Sequence, residues 1–368
     1  MRTGRDGPKL KERHDMALEL KNVTKVVSGQ THIKDTTLVL QTGHFNVLLG
    51  ETGAGKTSLI KLMAGLDAVA SGQIVMDGQD ITKLSTQQRQ ISLVHQFFVN
   101  YPHMTVFENI ASPLRVAGMS KSEIEGRVAE ATDILKLGPM LKRRPHELSG
   151  GQQQRTALAR AIAKDSKAVF LDEPLANLDY KLREELREML PELFAGRGAV
   201  VVYATSEPEE ALLLGGETAL MDDGYVRQFG KTAEIYRDPV TLAAAMIFSD
   251  PPINSSKIRK AAGKFNMGNI AWDVPAKYSS LVDGEYKIAI RPHHVLPFEG
   301  HGATVPVTGT VGVTELSGSE SSAHFVFGDN GWVSLAHGVH PYSRGEDHTF
   351  YLNPDECLYF TLDGNRVA

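Results

Sequence analysis

The sequence predicts an α/β domain built on a parallel sheet, followed by a smaller β-rich domain. Two observations predict the first domain: short continuous apolar runs typical of buried strands, and segments of helical periodicity between them. A third observation predicts the second domain, because after Asp250–Asn254 the chain changes to short alternating segments divided by Gly, Asn and Pro. A length of 368 residues is sufficient for two or three separate cores.

The elements of the first domain follow one another in strand, loop and helix order. An alternating strand begins at Met16, and the buried run Phe45–Leu49 precedes a glycine-rich loop and a helix that ends at Gly65. Three later segments continue the alternation: a helix over 120–138, a buried strand over 168–171, and a strand over 199–205. A helix with an apolar face formed by Leu182, Leu186, Met189, Leu190 and Leu193 is predicted between the last two.

These elements define the predicted domain boundaries. Residues 1–15 are expected to form a flexible extension, and residues 16–240 the α/β domain with a helical subdomain inserted at about 97–165. A linker is predicted over 241–256 and a β-rich, OB-like domain over 257–368. This last segment has nine Lys and Arg against twelve Asp and Glu, so it lacks the basic groove that an OB fold uses for single-stranded nucleic acid. A regulatory or protein-binding role is therefore expected.

Composition and charge exclude several classes of protein. The formal charge of −5 gives no positive field for a phosphate backbone, so nucleic acid is not an expected partner. One cysteine cannot form an intramolecular disulfide, and the charged start has no apolar stretch of signal-peptide length. No apolar run approaches the roughly 18 residues that span a bilayer. We expect a cytoplasmic protein that meets a membrane only through partners.

The first chemical motif is a phosphate-binding loop after the strand Phe45–Leu49. Its glycines allow backbone N–H groups to converge on phosphates at a helix N-terminus. Lys56 is expected to bridge the β- and γ-phosphates, and the Thr57 hydroxyl to bind Mg²⁺. An ordinary glycine turn is the weaker interpretation, because the motif lies between a strand and a helix. The predicted phosphate-binding residues are Gly50, Glu51, Thr52, Gly53, Ala54, Gly55, Lys56, Thr57 and Ser58.

Two further motifs complete the predicted site. Asp172 and Glu173 end the buried strand over 168–171, where one acid can reach a magnesium ion and the other can orient an attacking water. A second anion site is predicted where Leu148, Ser149, Gly150, Gly151 and Gln152 precede a helix rich in Ala and Leu. One triphosphate does not need two such sites in one chain, so the second is expected to close over nucleotide held by another subunit.

Together these motifs resemble the ATPase subunit of ABC transporters. The resemblance rests on GETGAGKT, ELSGGQQQRTALARA, VFLDEPLANLD and NYPHMTVFENI, and it spans almost the whole chain. The later segments MDDGYVRQFGKTAEIYRDP, KIAIRPHHV and ELSGSES resemble the carbohydrate-importer branch, whose C-terminal region contains OB-like (TOBE) folds. The segments YATSEP, DPPIN and ANLDYKLREEL resemble one of the paired ATPase subunits of bacterial glycerol importers.

The resemblance implies cofactors, partners and further site residues. ATP and Mg²⁺ are expected, with Thr57, Gln96 and Asp172 around the metal. Gln96 is similar to the glutamine that senses the permease, and Asp179 to the aspartate that links two sites across a dimer. Segment 97–106 would lie beside the permease, or its aromatic residues would pack inside the helical subdomain. The partners implied are transmembrane permease subunits, a second ATPase subunit and, indirectly, an extracytoplasmic binding protein, with this chain on the cytoplasmic face of the plasma membrane.

Two positions depart from the family pattern. Ser206 stands where the family places a histidine, and losing a preorganised donor to the transition state commonly costs about 10²–10³ in rate. Val27 stands where an aromatic ring stacks on adenine, a contact worth roughly 1–3 kcal/mol. These departures favour a heterodimer in which this chain completes a better site on its partner. The alternative is a homodimer in which Ser206 is adequate.

We therefore predict an ATP-hydrolysing subunit that powers import of a carbohydrate or polyol such as glycerol. The main alternative is a catalytically weak subunit that binds nucleotide and completes the site of its partner. Ser206 and Val27 favour that alternative, whereas Glu173 opposes it. A soluble ABC protein of DNA repair or translation would require tandem ATPase domains, a long coiled coil or basic arms, which this sequence lacks.

Overall fold

The computed structural model describes residues 17–176, 178–194, 196–300 and 302–367. The predicted flexible extension 1–15 and Met16 lie outside the described residues. The chain divides into two compact units, Met1–Thr232 and Ala233–Ala368. The predicted class, an α/β domain followed by a β-rich domain, is confirmed by the sheets of the two units.

The first unit contains two sheets and the helices that connect their strands. Its elements are β1 (Ala17–Val27), β2 (Gln30–Gln41), β3 (Phe45–Leu49), α1 (Lys56–Ala64), β4 (Ser71–Met76), β5 (Gln79–Asp80), β6 (Ile91–Val94), α2 (Val106–Val116), α3 (Lys121–Ile134), α4 (Gly150–Ala163), β7 (Ala168–Asp172), α5 (Tyr180–Phe194), β8 (Val200–Thr205), α6 (Pro208–Leu214), β9 (Glu217–Asp222) and β10 (Tyr225–Lys231). An antiparallel sheet has the order β2-β1-β4-β5. The larger sheet has the order β10-β9-β3-β8-β7-β6.

The larger sheet brings the ends of three strands to one edge. β3, β8, β7 and β6 are parallel, with Leu49 paired to Thr205 and Asp172 paired to Ala204. Every residue of β3, β7 and β8 is buried, which explains why each appears in the sequence as a continuous apolar run. Because parallel strands end at the same edge, the loops after β3, β7 and β8 meet there, as ligand-binding loops do in open α/β sheets.

Helices α2, α3 and α4 pack against one another within the stretch predicted as a helical subdomain. Thr105 and Ser120 begin α2 and α3 with capping boxes, in which the side chain accepts from a backbone N–H one turn ahead. Helix α3 was predicted over 120–138 but ends at Ile134, and a short 3₁₀ turn at Gly138–Met140 follows. Among the described residues, no helix combines the length and apolar character needed to cross a membrane.

The second unit consists of two antiparallel five-stranded sheets with a common apolar core, which includes Trp272, Phe325, Trp332 and Tyr359. Its sheets have the orders β13-β12-β11-β14-β20 and β15-β19-β16-β17-β18. The elements are α7 (Thr232–Arg237), which begins at the boundary, α8 (Leu242–Ile247), β11 (Asn254–Ala261), β12 (Lys264–Met267), β13 (Ile270–Asp273), β14 (Gly284–Ile290), β15 (Val295–Leu296), β16 (Val305–Leu316), β17 (Glu320–Phe327), β18 (Asn330–His337), β19 (Asp347–Leu352) and β20 (Leu358–Phe360).

The boundary between the units differs from the predicted one. The predicted linker 241–256 contains helix α8 and the first residues of β11. Ala245 of α8 is buried in a small core with Ile253, Ala289 and Phe360. The segment therefore belongs to the second unit, because its apolar side chains are covered by strands that follow much later in the chain.

Candidate nucleotide-binding and hydrolysis site

The predicted phosphate loop joins β3 to α1, and its backbone requires glycine at three positions. A Cβ atom on Gly50 would overlap the carbonyl oxygen of Met221. Gly53 and Gly55 have φ values of 90° and 106°, a region that residues with side chains rarely adopt. The loop therefore brings backbone N–H groups to the N-terminus of α1, where an anion is favoured. Glu51 and Thr52 are exposed in the same loop.

Lys56 lies inside the loop rather than in solvent. Its Nζ atom donates to the carbonyl oxygens of Gly50 at 2.7 Å and Glu51 at 3.1 Å. The ammonium group also lies 3.3 Å from Oε1 of Glu173. The lysine is thus held at the centre of the loop, where a phosphate bound at the N-terminus of α1 would meet a positive charge.

Thr57 and Asp172 meet at the carboxyl end of β7. The Thr57 hydroxyl donates to Oδ1 of Asp172 at 2.9 Å, and Asp172 is buried. Burial raises the pKa of Asp172, while the hydrogen bond from Thr57 opposes that change. A hydroxyl and a carboxylate oxygen are hard ligands of the kind that Mg²⁺ uses beside phosphate oxygens, so these residues fit that ion.

Glu173 follows β7 in an unusual backbone conformation. Its φ of 46° lies in the left-handed region, and its backbone N–H donates to the Ala204 carbonyl at 3.0 Å. Oε2 accepts a hydrogen bond of 2.9 Å from Nε2 of Gln96. A non-glycine residue in this region costs of order 1–3 kcal/mol, and such residues cluster at functional sites. The carboxylate is therefore held between Lys56 and Gln96.

The residues of the predicted second anion site, 148–152, lie at the start of α4; we call them the signature residues and α4 the signature helix. Ser149 and Gln152 make a capping box: the serine Oγ accepts from the Gln152 N–H at 3.4 Å, and the Ser149 N–H donates to Oε1 of Gln152 at 3.1 Å. Leu148 is buried, and Gly151 packs so closely on Leu182 of α5 that a Cβ would overlap it. The start of α4 is therefore capped and carries small residues, so an anion can come close to its backbone N–H groups.

Four other positions singled out in the sequence lie near the helix starts or at strand ends. Asp179 precedes α5, and its carboxylate accepts from the backbone N–H of Leu182 at 3.0 Å. Ser206 follows β8 and is exposed. Ser58 of α1 accepts from Nζ of Lys25 at 3.4 Å. Val27, at the end of β1, has a 41% exposed side chain and offers an aliphatic surface.

The structure also identifies residues that the sequence did not predict, around segment 97–106. Phe97 is 78% exposed, so it is not packed in the helical subdomain. Arg160 of α4 donates to the Val99 carbonyl at 2.6 Å, and Asn100 donates to the Gln153 carbonyl at 2.9 Å. This segment is therefore attached to the signature helix. The sequence signal was a polar residue, Asn100, directly after the apolar run Phe97, Phe98 and Val99.

Asn109 organises the turn before α2. It is fully buried, accepts from the Tyr101 N–H at 2.7 Å, and donates to the carbonyls of Tyr101, Met104 and Thr105. Because every polar atom of its side chain is used, this asparagine fixes the loop that carries the exposed aromatic residues. A polar Asn among the apolar residues Val106, Phe107, Ile110 and Ala111 was the signal that could have identified it.

A phosphate loop, an adjacent Asp–Glu pair at a strand end and a capped signature helix define a nucleotide-binding ATPase cassette. A profile of the family described as ABC transporter matches residues 33–176. The chain is 37% identical to the sn-glycerol-3-phosphate import ATP-binding protein UgpC of Salmonella typhimurium over 352 residues, which cover 94% of this chain and 98% of that protein. The UgpC protein of Escherichia coli strain K12 is 36% identical with the same coverage. This chain belongs to the ABC transporter family of ATP-binding proteins.

Solved structures agree with this assignment for the first part of the chain. The dimeric structure of a post-hydrolysis state of the ATP-binding cassette MJ0796, bound to ADP and Pi, has a TM-score of 0.54 and 30% sequence identity. The match covers 58% of this chain and 98% of the MJ0796 chain. A second dimeric structure of MJ0796, described as a bacterial ABC transporter cassette, has the same values. ABC ATPase domains bind ATP, and the fold of the first unit is theirs.

Proposed function

We propose that this chain hydrolyses ATP to power an ABC importer of a carbohydrate or polyol. The observation that carries the proposal is the convergence of Lys56, Thr57, Asp172, Glu173 and Gln96 at one edge of the parallel sheet. These side chains supply what phosphoryl transfer to water requires: a cation for the phosphates, metal ligands and a carboxylate for the water. The alternative of a catalytically weak subunit is less favoured, because the similar proteins named above are import ATP-binding proteins.

In this mechanism the phosphates of ATP bind the backbone N–H groups of residues 50–57, and Lys56 moves its ammonium group from Glu173 to the β- and γ-phosphates. Thr57, Asp172 and Gln96 would hold Mg²⁺, which when bound neutralises charge on the phosphate oxygens. Glu173 accepts a hydrogen bond from the attacking water and orients it. The water oxygen bonds to the γ-phosphorus as the bond between that phosphorus and the β–γ bridging oxygen breaks. ADP leaves with the electron pair of the broken bond, inorganic phosphate keeps the water oxygen, and a proton is released to solvent. The Ser206 hydroxyl donates to a γ-phosphate oxygen.

The signature residues Leu148–Gln152 act on a second subunit. Their backbone N–H groups form an anion site at the start of α4, while α1 of the same chain already provides one for the phosphates of ATP. Two subunits closing face to face would each complete the site of the other, with Asp179 near the interface. We favour a heterodimer, because Ser206 and Val27 weaken the site of this chain while its signature is intact. A homodimer remains the competing arrangement.

The imported compound and the partners follow from the relatives and from the family resemblance. The relatives are named for sn-glycerol-3-phosphate import, and we propose glycerol or a related polyol for this chain. Segment 97–106, with its exposed Phe97, would bind transmembrane permease subunits at the cytoplasmic face of the plasma membrane. An extracytoplasmic binding protein would supply the compound. The second unit would serve as an OB-like regulatory domain.

Uptake measurements in the source cell test this proposal. Cells that lack this chain should lose uptake of radiolabelled glycerol, or of sn-glycerol 3-phosphate, and wild-type protein should restore it. Glu173→Gln should not restore uptake, whereas Glu188→Gln, at an exposed position on α5, should restore it fully. Unchanged uptake of both compounds would contradict the proposed substrate class. Full restoration by Glu173→Gln would instead support the catalytically weak subunit.

A further inference from the structure

The end of β8 holds the backbone of two different parts of the site. The carbonyl of Ala204 accepts from the N–H of Glu173 at 3.0 Å, and the carbonyl of Thr205 accepts from the N–H of Gly50 at 3.4 Å. Two consecutive carbonyls therefore contact the first residue of the phosphate loop and the proposed water-orienting glutamate. Ser206 is the next residue in the chain. The end of β8 therefore connects Gly50, Glu173 and Ser206 through the backbone.

A buried polar cluster lies directly behind this strand end. Glu210 of α6 is only 3% exposed, and its Oε2 accepts from the Thr205 hydroxyl at 2.6 Å and from the Tyr203 hydroxyl at 2.9 Å. The Thr205 hydroxyl also accepts from the N–H of Glu207 at 3.0 Å. Because this hydroxyl both donates and accepts, its orientation is fixed. Burial raises the pKa of Glu210, and the hydrogen bonds from Thr205 and Tyr203 oppose that change.

The same turn is attached to the helix that follows Asp179. Arg183 of α5 binds both carboxylate oxygens of Glu207, at 2.7 and 2.9 Å. The backbone N–H of Arg183 donates to the Asp179 carbonyl at 3.0 Å. The turn that carries Ser206 is thus fixed from one side by Glu210 and from the other by α5. A polar cluster that only stabilised the fold could lie anywhere in the core. This cluster instead contacts the residues on both sides of Ser206, next to the proposed hydrolysis site.

We propose that Thr205 and Glu210 form a positioning pair for hydrolysis. The pair fixes the end of β8, and through it the placement of Ser206, the start of the phosphate loop and the backbone of Glu173. Both side chains are buried, so we assign them no direct contact with nucleotide. The effect of this pair on turnover rests on the proposed function, whereas the effect of the pair on the backbone of the site does not.

Paired substitutions in the full-length chain separate positioning from general stability. Thr205→Val keeps the shape of the side chain but removes both hydrogen bonds, whereas Thr205→Ser keeps them. Glu210→Leu removes the acceptor, whereas Glu210→Gln retains an oxygen that can accept from both hydroxyls. Glu209→Gln, at a neighbouring exposed position on α6, is the control. Amide hydrogen exchange of peptides covering 45–56 and 168–176 reports on the Gly50 and Glu173 N–H groups, and a peptide covering 217–231 reports on the rest of the sheet.

We expect Thr205→Val and Glu210→Leu to speed exchange in the first two peptides by about tenfold, the equivalent of one lost buried hydrogen bond, with no change in 217–231. In the same variants kcat should fall about tenfold while KM for ATP stays within about twofold, as expected when only transition-state interactions are lost. Thr205→Ser, Glu210→Gln and Glu209→Gln should behave as wild type. Unchanged exchange in Thr205→Val, or equal acceleration in all three peptides, would overturn the proposal. A wild-type chain without turnover would mean that hydrolysis requires the second ATPase subunit, and the exchange data would still decide the positioning role.

Discussion

Nζ of Lys56 lies 3.3 Å from Oε1 of Glu173, and both side chains are largely shielded, with 4% and 17% of their surfaces exposed. The second oxygen of Glu173 is held by Gln96 at 2.9 Å. In this arrangement the carboxylate of Glu173 pairs with the ammonium group of Lys56, which we propose binds the phosphates of ATP when nucleotide is present. In the proposed mechanism, nucleotide binding releases Glu173 from Lys56 and leaves the carboxylate available to orient water.

Replacing Lys56 should weaken nucleotide binding strongly. Lys56→Met removes the buried ammonium group, and hydrogen bonds to charged groups are worth about 1.5–3 kcal/mol, so affinity for ATP should fall about 10- to 100-fold. Titration with a fluorescent ATP analogue measures this change. Lys61→Met, in the last turn of the same helix, is the matched control and should bind as wild type. Equal affinity in Lys56→Met and wild type would show that Lys56 does not contact nucleotide.

The two signature glycines should respond differently to alanine. Gly151→Ala should lower the thermal midpoint, because the new methyl group overlaps Leu182 and overpacking typically costs about 1–3 kcal/mol. Gly150→Ala should leave the midpoint unchanged or higher, because nothing lies within 4 Å of its Cβ position. Calorimetry of both variants checks this. The decrease in thermal midpoint caused by Gly151→Ala should be smaller in a Leu182→Ala background. An equally large decrease in that background would contradict the proposed contact.

Changing Ser206 to histidine should accelerate hydrolysis. A histidine adds a longer donor that can be positively charged at the exposed end of β8, so kcat should rise about tenfold or more, with KM nearly unchanged. Ser206→Ala, which removes the hydroxyl, should be slower than wild type. Steady-state kinetics of the three proteins decides the matter. A Ser206→His variant no faster than wild type would mean that the serine is adequate, as the homodimer interpretation requires.

The buried carboxyl of Glu210 predicts a pH-dependent difference in stability. Burial raises its folded-state pKa above the ordinary value of 4.5. Its stabilising contribution is therefore complete below the unfolded pKa and is lost as pH rises through the higher folded pKa. Glu210→Gln does not titrate, so its thermal midpoint relative to wild type should increase from pH 4 to pH 8. A difference that is constant, or that decreases over this range, would contradict the assignment.

Much of the first unit could be predicted because its elements are local in sequence. The runs Phe45–Leu49 and 168–171 are buried on both faces and so appear as continuous apolar stretches, and both are strands in the structure. Asp172, at the end of β7, pairs with Ala204 of the neighbouring parallel strand β8, a register that the structure adds to these local predictions. The phosphate loop could be located from its glycines, since their spacing reflects backbone requirements that no other residue meets.

Other features depend on contacts between distant residues and could not be predicted in this way. Helix α8 belongs to the second unit because Ala245 meets Ala289 and Phe360. The contact of Glu210 with Thr205 was hidden because Thr205 ends an apolar strand and Glu210 sits in an acidic stretch that resembles a solvated helix start. The positive φ of Glu173 likewise has no signature in the residue type.

ATP hydrolysis by the purified chain, measured against protein concentration and beside Glu173→Gln, tests most directly whether this protein is a working ATPase. We predict measurable turnover in the wild-type chain and a decrease of about 10²–10³-fold in Glu173→Gln, with ATP binding retained in both. A specific rate that rises with protein concentration would indicate that pairs of this chain can form the site. No turnover in the wild type despite ATP binding would contradict an autonomous ATPase and would assign hydrolysis to a different partner subunit.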